Sequence, residues 1–271
     1  MTLLLVEMRR ALHRRSVRVL IALALFGCVV AGAIAFGTSA GKTVAELAQP
    51  GDGHPAILTD WWVAGSADGQ LSIVLFFLLL GGAFGGATVA GAEWRYGTVT
   101  TVLTWEPRRM RLLGARTASA AILSFVIAFG LQILFFVSCL PAMLANGTTE
   151  GTDAEWWLSL FAAMTRISLL TAAAAVLAVA LATIGRNTAF ALVTMFAWVA
   201  AVEGLVRWLR PSLQEWLWSE NIAIAFTWGQ LGTEDFTRSP ALALATVVFY
   251  VGVIIAISAV TFQRRDIAAA T

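Results

Sequence analysis

Residues that could support catalysis or metal binding are few in this sequence, and their spacing is unsuitable for either. The stretch Gly37–Thr43 (GTSAGKT) is similar to a phosphate-binding loop, but three residues separate its two glycines where that loop needs four. His13 and His54 fall on opposite sides of the predicted membrane topology, and Cys28 and Cys139 lie inside apolar runs. We therefore predict no catalytic residue, no metal site and no disulfide.

Long apolar runs make up most of the remaining sequence. Of its 271 residues, 59% are hydrophobic and 13% are charged, whereas a soluble domain is typically ~25% charged. An apolar helix of about 20 residues crosses the ~30 Å hydrocarbon core of a bilayer. Stretches such as Ile73–Leu80 are apolar on every side, whereas the strands of a membrane barrel would alternate. We therefore predict an all-α, polytopic membrane protein with a single transmembrane domain covering residues 1–271.

Six membrane spans are predicted from these runs. They cover about 19–38, 71–92, 115–140, 162–184, 187–206 and 241–262. The third is expected to stop before Pro141, because proline cannot donate a helical hydrogen bond. The fifth is the weakest, because it reaches full length only if the membrane tolerates Glu203.

Arginine is concentrated on one side of these spans, in residues 9–18, 95–116 and 264–265. The segments on the other side carry most of the acidic residues. The basic side is cytoplasmic by the positive-inside rule, which puts both termini in the cytoplasm and the chain in the cytoplasmic membrane. The small net charge of +2 gives no reason to expect nucleic-acid binding.

Two segments outside the spans are also predicted to be helical. Residues 3–18 carry Leu4, Met8 and Leu12 at four-residue spacing, with arginines on the other faces. This pattern predicts an amphipathic helix on the inner leaflet, and the same arginines also fix the topology. The segment 211–228 is too apolar for a solvated loop and too interrupted by acidic residues to cross. We predict one or two short helices there, lying on or dipping into the outer leaflet.

Ionisable residues within the spans, the usual mark of an ion-coupled transporter, are scarce. Arg166 precedes Arg186 by ~30 Å of helix, which predicts that it reaches the outer headgroups. Glu203 lies four residues before Arg207, a spacing that favours an ion pair on one helix face. Both residues therefore have structural explanations.

Glycines in the second span are spaced for close helix packing. Gly81 and Gly85 form one pair at four-residue spacing, and Gly82 and Gly86 form another. Small residues at this spacing allow two membrane helices to approach closely. The partner helix could belong to this chain, which we favour, or to a second subunit.

The loop between the second and third spans, residues 91–119, has the most informative pattern. Val99 and Val102 give residues 97–105 a narrow apolar stripe in a helix otherwise rich in threonine. Pro107 must end this helix and suits the first turn of the next one. A short, stiff helix here could receive force from a soluble partner. The alternative is an interfacial turn whose arginines only fix the topology.

This loop resembles the inner loop of ABC-2 type transporter permeases, in an actinobacterial-like form. The likeness is carried by an acidic residue after the second span, then Gly-Thr, a short helix, a proline and an arginine-rich entry to the third span. It extends to the basic N-terminal helix, the six spans, the apolar segment before the last span and the Arg-Arg-Asp tail at 264–266. The outer loop 39–70 is longer than the family pattern, and its role stays open.

The resemblance implies that the chain is the permease subunit of an ATP-binding cassette exporter. It implies a coupling helix at 97–105 that rests in a groove of a separate, soluble ABC ATPase subunit, together with an elbow helix at 3–18 and re-entrant helices at 211–228. A second permease subunit, identical or different, would complete the transporter. This chain would have no catalytic residues and no cofactor, because ATP and Mg²⁺ would bind the ATPase.

The resemblance assigns a set of residues to ATPase coupling. They are Glu93, Arg95, Gly97, Thr98, Thr101, Val102, Trp105, Pro107 and Arg108.

Two alternative functions come from other classes of protein. One is a transporter or channel driven by an ion gradient, and the other is a membrane immunity or sensor subunit that transports nothing. The cargo is not readable from the sequence, since an apolar interior suits drugs, lipids and peptides equally.

Overall fold

A computed structural model of the protein describes residues 3–48, 53–63, 66–95, 97–229 and 238–264. The α-helices are α1 (Leu3–His13), α2 (Arg15–Ser39), α3 (Val44–Leu47), α4 (Gln70–Arg95), α5 (Val99–Trp105), α6 (Arg109–Asn146), α7 (Ala154–Gly185), α8 (Thr188–Ala197), α9 (Gly204–Leu209), α10 (Trp218–Thr227) and α11 (Pro240–Arg264). A π-helix at Trp198–Glu203 joins α8 to α9, and 3-10 helices form at Leu58–Trp61 and Pro211–Trp216.

Six helical stretches are long and apolar enough to cross a membrane, which confirms the predicted all-α, polytopic class. They are α2, α4, α6, α7, α11 and the continuous stretch Thr188–Leu209. The most apolar part of α7 is 72% buried, against 39% or less in the other five. The helix α7 is therefore the core around which the others pack. We call the side assigned to the cytoplasm by its arginines the inner side, and the opposite side the outer side.

The predicted N-terminal helix 3–18 is wrong at its end, because the helix breaks at Arg14. The Arg14 backbone is extended, and its guanidinium donates to the Thr88 carbonyl at 2.6 Å and to Glu93 at 3.0 Å. These bonds hold the chain against α4 and separate α1 from α2. The face of α1 that packs on the protein carries Glu7 and Ala11, which leaves the stripe of Leu4, Met8 and Leu12 less buried, as a stripe facing the lipid would be.

The third span also differs from its prediction, because α6 continues through Pro141 to Asn146. Proline removes one backbone hydrogen bond from a helix. The turn after it is stabilised by packing, since Ala142 and Met143 are fully buried in a cluster that includes Trp61 of the outer loop. Burial of that turn thus offsets the bond lost at the proline.

One of the two glycine pairs lies in the contact between α4 and α7. A Cβ added at Gly82 would meet the backbone carbonyl of Thr171, and one added at Gly86 would overlap the carbonyl of Ala175. The two helices therefore touch backbone to backbone, as the glycine spacing predicts. This pair packs within the chain rather than against a second subunit.

Substitution of Gly86 by alanine is expected to destabilise this contact. The added methyl group must push α4 away from α7, and overpacking of this kind costs about 1–3 kcal/mol. Gly85 provides the matched control, because a Cβ there meets nothing within 4 Å. Thermal unfolding in one detergent should show a lower Tm for Gly86→Ala and an unchanged Tm for Gly85→Ala. Equal Tm values would contradict the close contact.

Candidate functional site

The short helix α5 follows α4 directly on the inner side. Gly97 has a φ of 67°, in the left-handed region that glycine adopts most easily. Its N–H donates to the Trp94 carbonyl at 3.4 Å, and the N–H of Thr98 donates to the Glu93 carbonyl at 3.0 Å. This is the hydrogen-bond pattern of a glycine-terminated helix. The turn therefore fixes the direction in which α5 leaves α4.

The apolar side of α5 rests on the membrane domain. Val99 is buried, and Val102 and Leu103 are half-buried against a cluster contributed by α6 and α11. That cluster consists of Leu112, Leu113 and Phe262. Arg109 also donates to the carbonyl groups of the last turn of α11. The helix α5 thus contacts α6 and α11 through its apolar side, and the turn at Gly97 connects it to α4.

The opposite side of α5 is exposed on the inner surface, where Trp105 keeps 84% of its side-chain area accessible. The other exposed residues around it are Arg95, Gly97, Thr98, Thr101, Thr104, Pro107 and Arg108. Tryptophan is enriched both at the headgroup level of membranes and at protein-binding hot spots. We call this set the α5 surface.

The structure separates the predicted coupling residues into two groups. Seven of them belong to the α5 surface, whereas Val102 faces the membrane domain and Glu93 is buried. The helix is shorter than the predicted 97–105, because residues 97 and 98 form the turn. Pro107 lies in the link between α5 and α6 rather than in the first turn of α6, which begins at Arg109.

Glu93 belongs to a group of charged residues near the inner ends of α4 and α6, which we call the inner ionic cluster. It accepts hydrogen bonds from Arg14 at 3.0 Å and from Arg116. The Nε atom of Arg116 lies 3.7 Å from Glu7, which also pairs with Arg10 at 3.0 Å. The cluster therefore joins α1, the start of α2, the end of α4 and the start of α6.

The centre of the inner ionic cluster is buried, since Glu7, Glu93 and Arg116 are each less than 10% exposed, whereas Arg10 and Arg14 at its edge are partly exposed. Burial lowers the pKa of Arg14, and the neighbouring Glu93 raises it; a guanidinium stays protonated under either influence. A buried ion pair is costly to break, because the remaining charge has no counter-charge. Sequence reasoning missed this cluster. Its one signal was Glu7, the single acidic residue among the arginines of the first 18 residues.

On the outer side, α10 has a charged residue at each end. Glu203 is fully buried and accepts hydrogen bonds from the backbone N–H groups of Trp218 at 2.7 Å and Ser219 at 3.3 Å. At the other end, Nε of Arg166 donates to the Phe226 carbonyl at 3.0 Å. A carboxylate at the N-terminus and a guanidinium at the C-terminus both complement the helix dipole.

Arg166 and Glu203 are each held by further contacts. The guanidinium of Arg166 lies between the rings of Trp62 and Trp228, at 5.5 and 5.4 Å from their centroids, within the range of cation–π attraction. Glu203 forms the predicted pair with Arg207 at 3.6 Å, although its bonds to α10 are shorter. The helix α10 is therefore a short helix on the outer side whose ends contact residues of the fourth and fifth spans, and the prediction of a short helix in 211–228 is confirmed there.

Within the described residues, no group of three or more His, Cys, Asp and Glu is placed to hold a metal ion.

No family model matches the chain, and a search of curated proteins gives no match. The chain is a multi-pass membrane protein. This conclusion follows from the six helices that are long and apolar enough to cross a membrane.

Proposed function

We propose that this chain is the membrane-spanning permease subunit of an ABC-2 type exporter in the cytoplasmic membrane. A separate, soluble ATPase subunit binds ATP and Mg²⁺ and docks on the α5 surface. The observation that carries the proposal is that α5 is exposed on one side, whereas Val99 is buried and Val102 and Leu103 pack against the membrane domain on the other. The resemblance of residues 93–108 to the inner loop of such permeases supports the same conclusion.

The contacts of α5 provide a route by which a docked ATPase moves the spans. The turn at Gly97 connects α5 to α4, and Val102 and Leu103 press on α6 and α11. The inner ionic cluster extends this connection to α1 and α2. Since α4 packs along α7, a displacement of α5 reaches the core helix through one intermediate span.

A second permease subunit, identical or different, belongs to this proposal. The fifth span, Thr188–Leu209, is 11% buried in its most apolar part. Large side chains such as Phe196 and Trp208 are more than 70% exposed on it. This span therefore has apolar surface available for a partner as well as for lipid.

A transporter driven by an ion gradient is the second candidate, because Glu203 is a fully buried carboxylate on the fifth span. Buried intramembrane carboxylates commonly mark ion or proton pathways. Here, however, the two oxygens accept bonds from Trp218 and Ser219 and pair with Arg207. The carboxylate is thus occupied by a structural role, and we rank this candidate second.

Replacing Thr101 by arginine should prevent the ATPase from binding. Thr101 lies in the centre of the α5 surface and is exposed, so a bulky cation there blocks docking without changing the fold. We expect at least about a tenfold loss of the ATPase retained on the purified chain, the size of a single hot-spot contact. The measurement is co-purification in mild detergent with a soluble P-loop ATPase that is co-expressed from a neighbouring gene, and the presence of such a gene is itself an expected outcome of the proposal.

His13→Arg is the matched control for this experiment. It adds a cation to the exposed end of α1, also on the inner side but outside the α5 surface. The control variant should retain as much ATPase as the wild type. If the ATPase never associates, or if it associates equally with both variants, the proposed docking on α5 is wrong.

A further inference from the structure

A lateral slot separates α2 from α4 through most of the membrane. The helix α6 forms its floor, because α2 packs closely on α6 through contacts such as Ser138 Oγ to the Cys28 carbonyl at 2.8 Å. The slot encloses about 910 Å³, within the ~300–1,000 Å³ of ordinary ligand sites. Its walls are almost entirely apolar, and Leu23 and Phe77 are exposed at its edges.

Polar bridges between α2 and α4 close the slot at both ends. On the inner side, Arg14 at the start of α2 donates to the Thr88 carbonyl of α4 at 2.6 Å. On the outer side, residues 53–54 of the outer loop bond to Thr38 of α2 and to Gln70 of α4. The slot therefore opens sideways, toward the hydrocarbon of the bilayer.

Three glycines keep the middle of the slot wide. A Cβ added at Gly27, Gly81 or Gly85 would meet no other atom within 4 Å, and all three residues line the slot. An apolar cavity of this kind does not hold water stably, because water would find no hydrogen-bond partners there. Its walls gain contacts only if hydrocarbon fills it.

A basic residue stands at the inner end of the slot. Arg18 is exposed, and Ile21, three residues further along α2, lines the slot. Residues at this spacing lie on the same side of a helix. From residue 17 to residue 27 the helix rises ~15 Å, half of the ~30 Å hydrocarbon thickness. The inner half of the slot thus has the depth of one leaflet, with a cation at headgroup level.

We propose that this slot binds an acyl chain of an anionic phospholipid from the inner leaflet, with the phosphate on Arg18. The charge of Arg18 complements the phosphate, and the uncharged walls complement the chain. A transmembrane helix of a second copy does not fit. Such a helix is ~10 Å wide with its side chains. It would also have to run the full length of the slot, and the polar bridges between α2 and α4 close the slot at its inner and outer ends. This site does not depend on the proposed ATPase partner.

The test uses the full chain in vesicles of phosphatidylethanolamine and phosphatidylglycerol. A small fraction of the phosphatidylglycerol carries a photoreactive diazirine on one acyl chain, and cross-linked peptides are identified by mass spectrometry. We expect cross-links on α2 around Ile21–Cys28 and on α4 around Gly81–Gly85. In the Gly85→Leu variant the yield of these cross-links should fall by about tenfold or more. The leucine side chain would keep at least two methylene groups of the acyl chain out of the slot, and losing the burial of two methylenes already weakens binding by about that factor.

Matched controls come from α11, the last span. Gly252→Leu places the same side chain in open space on another span and should leave the cross-links unchanged. Arg18→Gln should remove the preference for a phosphatidylglycerol probe over a phosphatidylcholine probe, whereas Arg264→Gln, at the exposed inner end of α11, should keep it. Cross-links spread evenly over all exposed spans in the wild type, or cross-links from the slot to a second copy of the chain, would overturn the proposal.

Discussion

Replacement of Glu203 by alanine is expected to loosen the packing of α10 on the membrane domain and to lower the free energy of unfolding by about 2–4 kcal/mol, because two backbone N–H groups lose their acceptor. Trp218 is buried and Ser219 is partly buried, so water cannot fully replace the lost acceptor. Arg207 would lose one of its two carboxylate partners. Since domains are stable by only ~5–15 kcal/mol, this loss is a large part of the total.

Thermal unfolding and cysteine labelling measure the two parts of this prediction. In a chain whose Cys28 and Cys139 are replaced by alanine, a cysteine at the buried Ala225 of α10 should react with maleimide only when Glu203 is absent. Glu220→Gln is the control, because that carboxylate pairs with Arg207 at the surface of the same helix. If Glu203→Ala unfolds at the wild-type temperature and its Ala225→Cys derivative stays unreactive, Glu203 does not hold α10.

Removal of Glu93 is expected to have an effect of similar size on the inner side. In Glu93→Ala, Arg14 and Arg116 would lose the carboxylate between them and repel each other, and Arg116 is 3% exposed. We expect up to about 3–5 kcal/mol of destabilisation, because the buried Arg116 keeps only its longer contact to Glu7 at 3.7 Å. The start of α2 should separate from α4, which would also weaken the proposed coupling through α5.

The control for Glu93 is Glu106, an acidic residue of the same loop. Glu106 pairs with Arg111, whose side chain is 60% exposed, so Glu106→Ala should cost less than ~1 kcal/mol. Combining Glu93→Ala with Arg116→Met should restore much of the lost stability, since an apolar pair replaces a broken ionic one. A double variant that unfolds as early as Glu93→Ala alone would show that Arg116 is not the source of the instability.

The six spans were predictable because length and apolarity alone determine whether a helix can cross a bilayer. Two helix ends were not predictable, for reasons that lie outside the local sequence. The break at Arg14 depends on Thr88 and Glu93 of α4. The continuation of α6 past Pro141 depends on its packing against the outer loop around Trp61.

The candidate site was also predictable only in part. The helix at 99–105 follows from local residues, a glycine before it and a proline after it. The inner ionic cluster does not, because Glu7 and Arg116 are far apart in sequence and meet only in the folded chain. Glu203 shows both cases, since its pair with Arg207 was readable from spacing and its contact with α10 was not.

The two caps of α10 also determine how that helix responds to an electric field. The helix termini carry about +0.5 and −0.5 elementary charge, and Glu203 and Arg166 add one charge of opposite sign at each end. Their sum is zero. Moving a single charge through 100 mV changes the energy by ~2.3 kcal/mol, but a neutral unit of this kind moves without that cost. Rearrangements of α10 together with its caps should therefore proceed at the same rate in energised and de-energised membranes.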